Sequence, residues 1–167
     1  ATRHGIPADE AMDLLHGFEM DVIGRRYDTL EDTLDYSYHV AGVVGVMMAR
    51  IMGVDDAPTL RRAQDLGLAF QLTNIARDVV EDAAAGRVYL PATWLAEKGL
   101  APGDHALPEN RFVLASLMPR LIGLMEKHEA TARLGAARLP FRSRWAVLAA
   151  ANIYGAIGRK VLARGQK

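Results

Sequence analysis

The chain has 167 residues, half of them hydrophobic, and its 20 Lys and Arg residues balance its 20 Asp and Glu residues. The apolar fraction is sufficient for one packed domain, and the balanced charge argues against nucleic-acid binding. The sequence contains no cysteine, which excludes disulfide bonds and thiolate metal sites and is typical of a reducing, cytoplasmic environment. We find no apolar run of about 18 residues and no signal-peptide pattern, so we expect a soluble protein.

Helical periodicity and helix-end residues predict an all-α protein without strands. The segment 87–91 is short and ends at a proline, so we expect an extended flap there. Pro119 is expected either to kink the fourth long helix or to begin its second part. Several helices are apolar on more than one side, which predicts a large bundle around a central space. The predicted helices extend from about Pro7 to Gly24, Leu30 to Met52, Pro58 to Ala84, Arg111 to Ala137 and Ser143 to Ala163, with a short helix around Trp94.

The helix predicted over 58–84 carries a polar face towards its C-terminal end. Gln71, Asn74, Asp78 and Asp82 are separated by three or four residues, so their side chains share this face. Nearer the helix start, the same face is apolar or small, at Leu60, Gly67 and Phe70. This gradient predicts a ligand with an apolar tail and a polar head. Because each acid opposes the helix dipole by roughly 0.3 to 1 kcal/mol, we also expect cationic side chains nearby.

The two acids of this face, four residues apart and preceded by an asparagine, are oxygen donors of the kind that Mg²⁺ prefers. Mg²⁺ is commonly shared with substrate phosphates, so the pattern suggests diphosphate chemistry. The spacing alone is weak evidence, because residues 9–13 and 28–32 show it too. A solvated acidic face with Arg77 and Arg87 as surface partners explains the spacing equally well.

The flanking residues carry a family resemblance. Residues 71–82, QLTNIARDVVED, followed by GRVYLP at 86–91, resemble the second aspartate-rich motif of the squalene/phytoene synthase family. Residues 35–45, DYSYHVAGVVG, are similar to that family's Tyr-Val-Ala-Gly helix, and residues 144–157, RWAVLAAANIYGAI, to its closing helix. The three motifs occur in order and cover most of the chain, which is therefore identified as a member of this family.

The resemblance implies an isoprenoid-synthase-type helical bundle in which two prenyl diphosphates are joined head to head in a central cavity. It implies Mg²⁺, with Mn²⁺ as a substitute, and a cyclopropyl (prephytoene) diphosphate intermediate. We expect two geranylgeranyl diphosphates to give phytoene, a reaction that needs no NADPH. We also see no membrane anchor of the eukaryotic squalene synthase type, although a bacterial squalene-type enzyme would lack that anchor too. The alternatives are a squalene or dehydrosqualene synthase that uses farnesyl diphosphate, and a non-catalytic family member that acts as an assembly factor.

Carried over residue by residue, the resemblance assigns the metal to Asn74, Asp78 and Asp82. It assigns substrate binding to six residues and chemistry to three. The expected substrate-binding residues are Val40, Gly42, Gly45, Gln71, Arg87 and Tyr89. The expected catalytic residues are Tyr36, Arg77 and Tyr154, with Arg77 on the diphosphate and the two tyrosine rings facing a carbocation.

Other assignments remain open at this point. Each of the two tyrosines is alternatively a core residue with a satisfied hydroxyl. Gly42 and Gly45 form a small strip that admits either a neighbouring helix or a prenyl tail. No histidine has metal-ligand spacing, and the pair His128 and Glu129 is expected at the surface. Four arginines lie near the start of the last helix: Arg133, Arg138, Arg142 and Arg144. They are compatible with peripheral contact at the inner membrane face, although ordinary solvation is the simpler explanation.

The sequence departs from the family in one respect. The first aspartate-rich motif is not recognisable, because Asp9 and Asp13 lack its aromatic and arginine-rich context. We therefore expect residues 1–167 to form a single all-α domain fragment, the C-terminal part of an enzyme about twice as long. Such a fragment is expected to be inactive alone, and nothing in the sequence indicates its oligomeric state.

Overall fold

The structure is a computed structural model that describes residues 5–165. The described residues form helices and connecting segments without a strand, which confirms the predicted all-α class. The seven α-helices are α1 (Ala8–Val22), α2 (Leu30–Ser37), α3 (Val43–Ile51), α4 (Ala57–Ala84), α5 (Ala92–Ala96), α6 (Arg111–Ala136) and α7 (Phe141–Gly165). Two short 3₁₀ turns, Asp104–Ala106 and Pro108–Asn110, connect α5 to α6.

The single helix predicted over 30–52 is interrupted by a π-helical segment, Tyr38–Gly42. Its first part, α2, begins with a capping box in which Thr29 accepts from the backbone of Asp32 and the Asp32 side chain accepts in return. The wider π turn follows at Ser37, and α3 resumes the α-helical pattern. Such π turns are frequent at functional sites. Here the π segment packs between α1 and α4.

Helix α4 is the central element, packed against α3, α6 and α7. Asp56 caps its start by accepting from the Thr59 amide at 3.0 Å, and Pro58 occupies the first turn, where no amide donor is needed. Gly86, with φ of +78°, lies just beyond its end and takes the left-handed conformation that favours glycine. The main core lies between α4, α5 and α6, and its fully buried side chains include Leu72, Ile75, Leu95, Leu121 and Ile122.

Helix α6 settles two of the open points. It runs through Pro119 as one helix, so this proline does not begin a new element. The expected surface position of the pair His128 and Glu129 is wrong for the acid, because Glu129 is only 6% exposed. His128 is partly buried and pairs with Asp65 of α4 at 2.8 Å. A pattern read along one helix could not show that a second helix, α7, covers this position.

In the described part of the chain, exposed large apolar side chains are most numerous on α1 and α7, with others on α3, α4 and α6. On α1 these are Met12, Leu15, Phe18 and Val22, and on α7 they are Phe141, Trp145 and Ile153. Helix α7 is also long and apolar enough to cross a membrane by length and composition, so the expectation of no such segment is wrong on this criterion. Core helices of soluble proteins pass the same test when they are mostly buried. Helix α7 packs against both α4 and α6, but only 17% of its apolar window is buried.

Candidate active site

A cavity of about 460 Å³ lies along one side of α4. Most of its lining is apolar and comes from the π segment, α3, α4, α6 and α7. Helix α4 contributes lining residues from Thr59 to Asn74, a wall about 22 Å long at 1.5 Å per residue. Met52 and Leu139 line it as well, whereas Gln71 and Asn74 bring amides to the end nearest the acids of α4. Gly67 and Phe70 also line it, so the predicted gradient from an apolar to a polar surface is present along the cavity, whereas Leu60 is buried in a core cluster instead.

Five of the predicted site residues line this cavity: Val40, Gly45, Gln71, Asn74 and Tyr154. The Tyr154 ring stacks on Phe70, with ring centroids 4.0 Å apart and planes 19° from parallel. This pair places two aromatic faces from different helices, α7 and α4, beside the amides of the polar end. An aromatic face in an apolar surrounding attracts a cation, so the pair is suited to a positively charged species.

The two glycines of the small strip differ in their surroundings. A Cβ on Gly45 would lie 2.3 Å from the carbonyl oxygen of Ala63, so α3 crosses α4 at van der Waals distance there. Gly45 therefore serves both of the alternatives, a helix crossing and a cavity wall. Gly42 does not line the cavity, because its Cα faces the side chains of Tyr38 and Gln64. Its assignment to substrate binding stays a prediction.

The acids of α4 lie beyond the polar end of the cavity, and each has an arginine partner. Arg77 donates to both oxygens of Asp78, at 2.6 and 2.5 Å, and this hydrogen bonding raises the pKa of the guanidinium. Arg87 donates to Asp82 at 3.3 Å. Burial raises the pKa of Asp82, against the opposing effect of Arg87. The expected cationic compensation of the helix end is therefore present.

Asp21, which sequence reasoning missed, gathers the hydroxyls of two tyrosines. Tyr36 donates to both of its oxygens at 3.0 Å, and Tyr89 donates to Oδ1 at 2.8 Å. Burial raises the pKa of Tyr36 strongly and that of Tyr89 to about 12, so both hydroxyls keep their protons near neutral pH. Nothing in the sequence near Asp21 distinguishes this acid from the other acids of α1. Asp21 is recognised as their common acceptor only in the folded chain, where α1 packs against Tyr36 and against Tyr89 of the flap.

Tyr36 is therefore not in the cavity wall where it was expected. Its side chain is 4% exposed and its hydroxyl donates to Asp21, which is the environment of the alternative interpretation, a core residue with a satisfied hydroxyl. The catalytic role of Tyr36 stays a prediction. Tyr89 stacks on it and is held by its own backbone as well, since its carbonyl accepts from the Thr33 hydroxyl at 2.9 Å. The segment around Tyr89 is non-helical, as predicted for the flap. These contacts fix the flap next to Asp82 and Arg87.

The donor set of α4 fits Mg²⁺ only as part of a larger site. Asn74, Asp78 and Asp82 offer amide and carboxylate oxygens on one helix face, which are hard ligands. Within residues 5–165, however, no three His, Cys, Asp or Glu side chains converge closely enough to hold a metal ion. Mg²⁺ usually keeps several waters and takes further oxygens from substrate phosphates, so two acids and an amide are a suitable partial set.

Comparison with solved structures defines the class of fold. The squalene synthase HpnC from Alicyclobacillus acidocaldarius superposes with a TM-score of 0.87 at 22% identity, over 99% of this chain and 63% of that one. A dehydrosqualene synthase in complex with ligand gives a TM-score of 0.82 at 25% identity, over 96% and 65%. The chain has the helical fold of these synthases.

Sequence comparison names the family. The squalene/phytoene synthase family profile matches residues 1–167, and the chain belongs to this family. The 15-cis-phytoene synthase of Enterobacter agglomerans is 56% identical over all of this chain and 57% of its own length. That of Pantoea ananas is 54% identical over all of this chain and 54% of its own. The chain thus spans little more than half the length of these relatives.

Proposed function

We propose that the complete enzyme, meaning the polypeptide that contains residues 1–167 and the remaining length found in its relatives, is a phytoene-forming prenyltransferase of carotenoid biosynthesis. It condenses two geranylgeranyl diphosphates to 15-cis-phytoene through prephytoene diphosphate. The observation that carries this proposal is the apolar cavity that ends beside the amides and acids of α4. The 54 to 56% identity to proteins named 15-cis-phytoene synthase supports this product over squalene or dehydrosqualene.

The cavity walls account for binding of the prenyl tail. Burial of apolar chain contributes roughly 0.8 kcal/mol per CH₂, so a long wall of aliphatic side chains binds a prenyl group tightly. Val40 and Gly45 contribute to this wall, and Gln71 and Asn74 provide polar groups at its end. The diphosphate therefore lies towards the acids of α4, where Arg77 and Arg87 provide guanidinium donors that suit phosphate oxygens.

Asn74, Asp78 and Asp82 are the residues that would hold Mg²⁺, which when bound supplies positive charge for the leaving diphosphate. The further acids that this metal site needs belong, in this proposal, to the part of the relatives that this chain does not span. The Tyr154 and Phe70 rings face the apolar cavity, where an allylic cation is stabilised by aromatic faces and kept from water. Tyr89, held by Asp21, keeps the flap closed beside the acids.

The reaction is tested by incubating the complete enzyme with geranylgeranyl diphosphate and Mg²⁺, or Mn²⁺, and extracting the lipids. A C40 hydrocarbon formed without NADPH is the expected result. Turnover of farnesyl diphosphate alone, with or without NADPH, would assign the enzyme to the squalene or dehydrosqualene type. No product from either substrate would favour the assembly-factor alternative.

We also propose a cytoplasmic enzyme that meets its lipid substrate at the inner face of the membrane. The exposed apolar and basic side chains near the start of α7, including Trp145 and Arg142, support this location. Cell fractionation tests it: the enzyme should be found in the soluble fraction or be released from membranes by salt. Retention that only detergent reverses would contradict a peripheral association.

A further inference from the structure

Glu129 is a buried acid outside the acidic face of α4. It lies on α6, 6% exposed, and accepts from two arginines on different helices. Arg133, one turn along α6, donates to it through Nε at 3.1 Å and also through Nη2. Arg159 of α7 donates through Nη1 at 3.2 Å. Burial of a charge is costly unless it is paired, and here two guanidinium groups provide the pairing.

The same group of side chains makes a second hydrogen-bonded contact between α6 and α7. Arg133 also donates to the amide oxygen of Asn152 on α7, at 2.7 Å. Between Asn152 and Arg159 on the same face of α7 lies Gly155, and a Cβ there would be 2.6 Å from Oε2 of Glu129. The glycine therefore forms a notch that receives the carboxylate. We call Glu129, Arg133, Arg159 and Gly155 the α6–α7 clamp.

The fully buried part of the α7 contact surface is small, whereas the partly buried Val161 and Leu162 pack against the main core. The buried residues of α7 are Ala151, Gly155 and Gly158. Large side chains that interdigitate fix the register of two packed helices, whereas small residues leave shallow ridges that permit sliding and rotation. Directional, charge-assisted hydrogen bonds between the helices restrict both movements. The clamp thus adds a directional restraint on where α7 sits on α6, beside the apolar packing of Val161 and Leu162.

The residue next to the notch is Tyr154, which lines the cavity and stacks on Phe70. A small rotation of α7 would move the Tyr154 ring off Phe70 and away from the cavity. We propose that Glu129 is a positioning residue, which through the α6–α7 clamp holds the Tyr154 ring against the cavity. Its effect on turnover rests on the proposed function, whereas its effect on the position of the ring does not.

Two variants weaken the clamp in different ways, and each has a matched control. Glu129→Gln removes the buried charge, and Glu126→Gln removes a more exposed acid of α6 that lies 3.7 Å from the same Arg159. Gly155→Ala fills the notch, and Gly123→Ala adds a methyl group on α6 where no atom lies within 4 Å. If Glu129→Gln fails to fold, Gly155→Ala still tests the clamp.

The position of the ring is read by ¹⁹F NMR of the complete enzyme labelled with 3-fluorotyrosine, the Tyr154 signal being assigned by its loss in Tyr154→Leu. Both clamp variants should shift this signal and leave the signals of Tyr36 and Tyr89 in place, and both controls should shift none. An unmoved Tyr154 signal in folded clamp variants would overturn the proposal. This measurement needs no turnover, so it remains decisive even if the proposed reaction fails.

Kinetics provide the second readout. A misplaced group costs about tenfold to a hundredfold in kcat, and we expect that loss in both clamp variants with little change in KM. In a Tyr154→Leu background the same substitutions should change kcat by less than about twofold, because residues that act through one another are not additive. Equal losses in both backgrounds, or a loss of thermal stability without a change in kcat, would show a purely structural role and refute the positioning.

Discussion

The rings of Tyr36 and Tyr89 stack with their centroids 4.7 Å apart and their planes 16° from parallel, and both hydroxyls donate to the carboxylate of Asp21. Three separate elements therefore meet at one carboxylate: α1, α2 and the flap, whose Tyr89 lies 68 residues from Asp21 in the sequence. The flap follows α4 directly, so this contact also determines how closely the acids of α4 are covered. Substitution of Asp21 can measure how much this contact contributes to stability.

Asp21→Asn should destabilise the complete enzyme by about 1 to 3 kcal/mol, because it removes the charge from two partly buried hydrogen bonds. It should also lower the pKa of Tyr89 from its value of about 12, to which the Asp21 carboxylate contributes after burial. Urea denaturation and ultraviolet titration measure the two effects. Asp13→Asn, which affects a single tyrosine hydroxyl, that of Tyr38, is the control and should cost less. Equal losses of unfolding free energy in the two variants would contradict the view that Asp21 stabilises the protein through both tyrosines.

Asp78→Asn and Asp82→Asn should each reduce Mg²⁺-dependent turnover by about a hundredfold or more, since each removes a charge that faces a developing diphosphate anion. Circular dichroism should show unchanged helicity. Glu81→Gln removes a neighbouring, exposed acid of the same helix turn and should leave turnover unchanged. Full activity of the two aspartate variants would return both acids to the solvated-face interpretation.

Gly67→Ala should destabilise the protein by about 3 kcal/mol, because the added Cβ would lie 2.1 Å from the carbonyl oxygen of Ala41 and backbone cannot move aside cheaply. Gly123→Ala is the control on α6 and should be neutral or stabilise by about 0.5 to 1 kcal/mol through helix propensity. The midpoints of thermal or urea unfolding measure both. A neutral Gly67→Ala would mean that the π segment does not press on α4.

His105 should make the stability of the protein depend on pH. It is 1% exposed, and burial lowers its pKa below the ordinary value of about 6.5, although a hydrogen bond to the Val79 backbone opposes this. The unfolded chain therefore binds the proton more readily than the folded one. The stabilisation is complete above about pH 6.5 and is lost as the pH falls through the folded-state pKa, with a slope of at most about 1.4 kcal/mol per pH unit.

Denaturation curves between pH 5 and 8 test this, since one titrating histidine changes its charge in about that range. His105→Gln should flatten the dependence, and the exposed His16→Gln should leave it as it is. An identical pH dependence in His105→Gln and the original protein would assign the effect to other groups.

The sequence by itself determined the all-α class, most helix ends and the polar face of α4, but not the π-helical interruption at 38–42. Helix ends depend on local signals, such as Asp56 with Thr59 and the glycine at 86, and a face depends on the spacing of residues within one helix. These are short-range properties, so the arrangement of Asn74, Asp78 and Asp82 could be read directly. The family motifs supplied the proposed chemistry of that face in the same way.

Only the tertiary structure decided which helices meet. It placed Tyr36 on Asp21 instead of in the cavity, turned Gly42 towards Gln64, and buried Glu129 under α7. Each of these results depends on contacts between residues far apart in sequence, where a change in crossing angle or the extra width of a π turn redirects every side chain. The acids of α4 could be predicted from their spacing. The position of Tyr154, in contrast, depends on the buried charge of Glu129, which no local sequence pattern predicts.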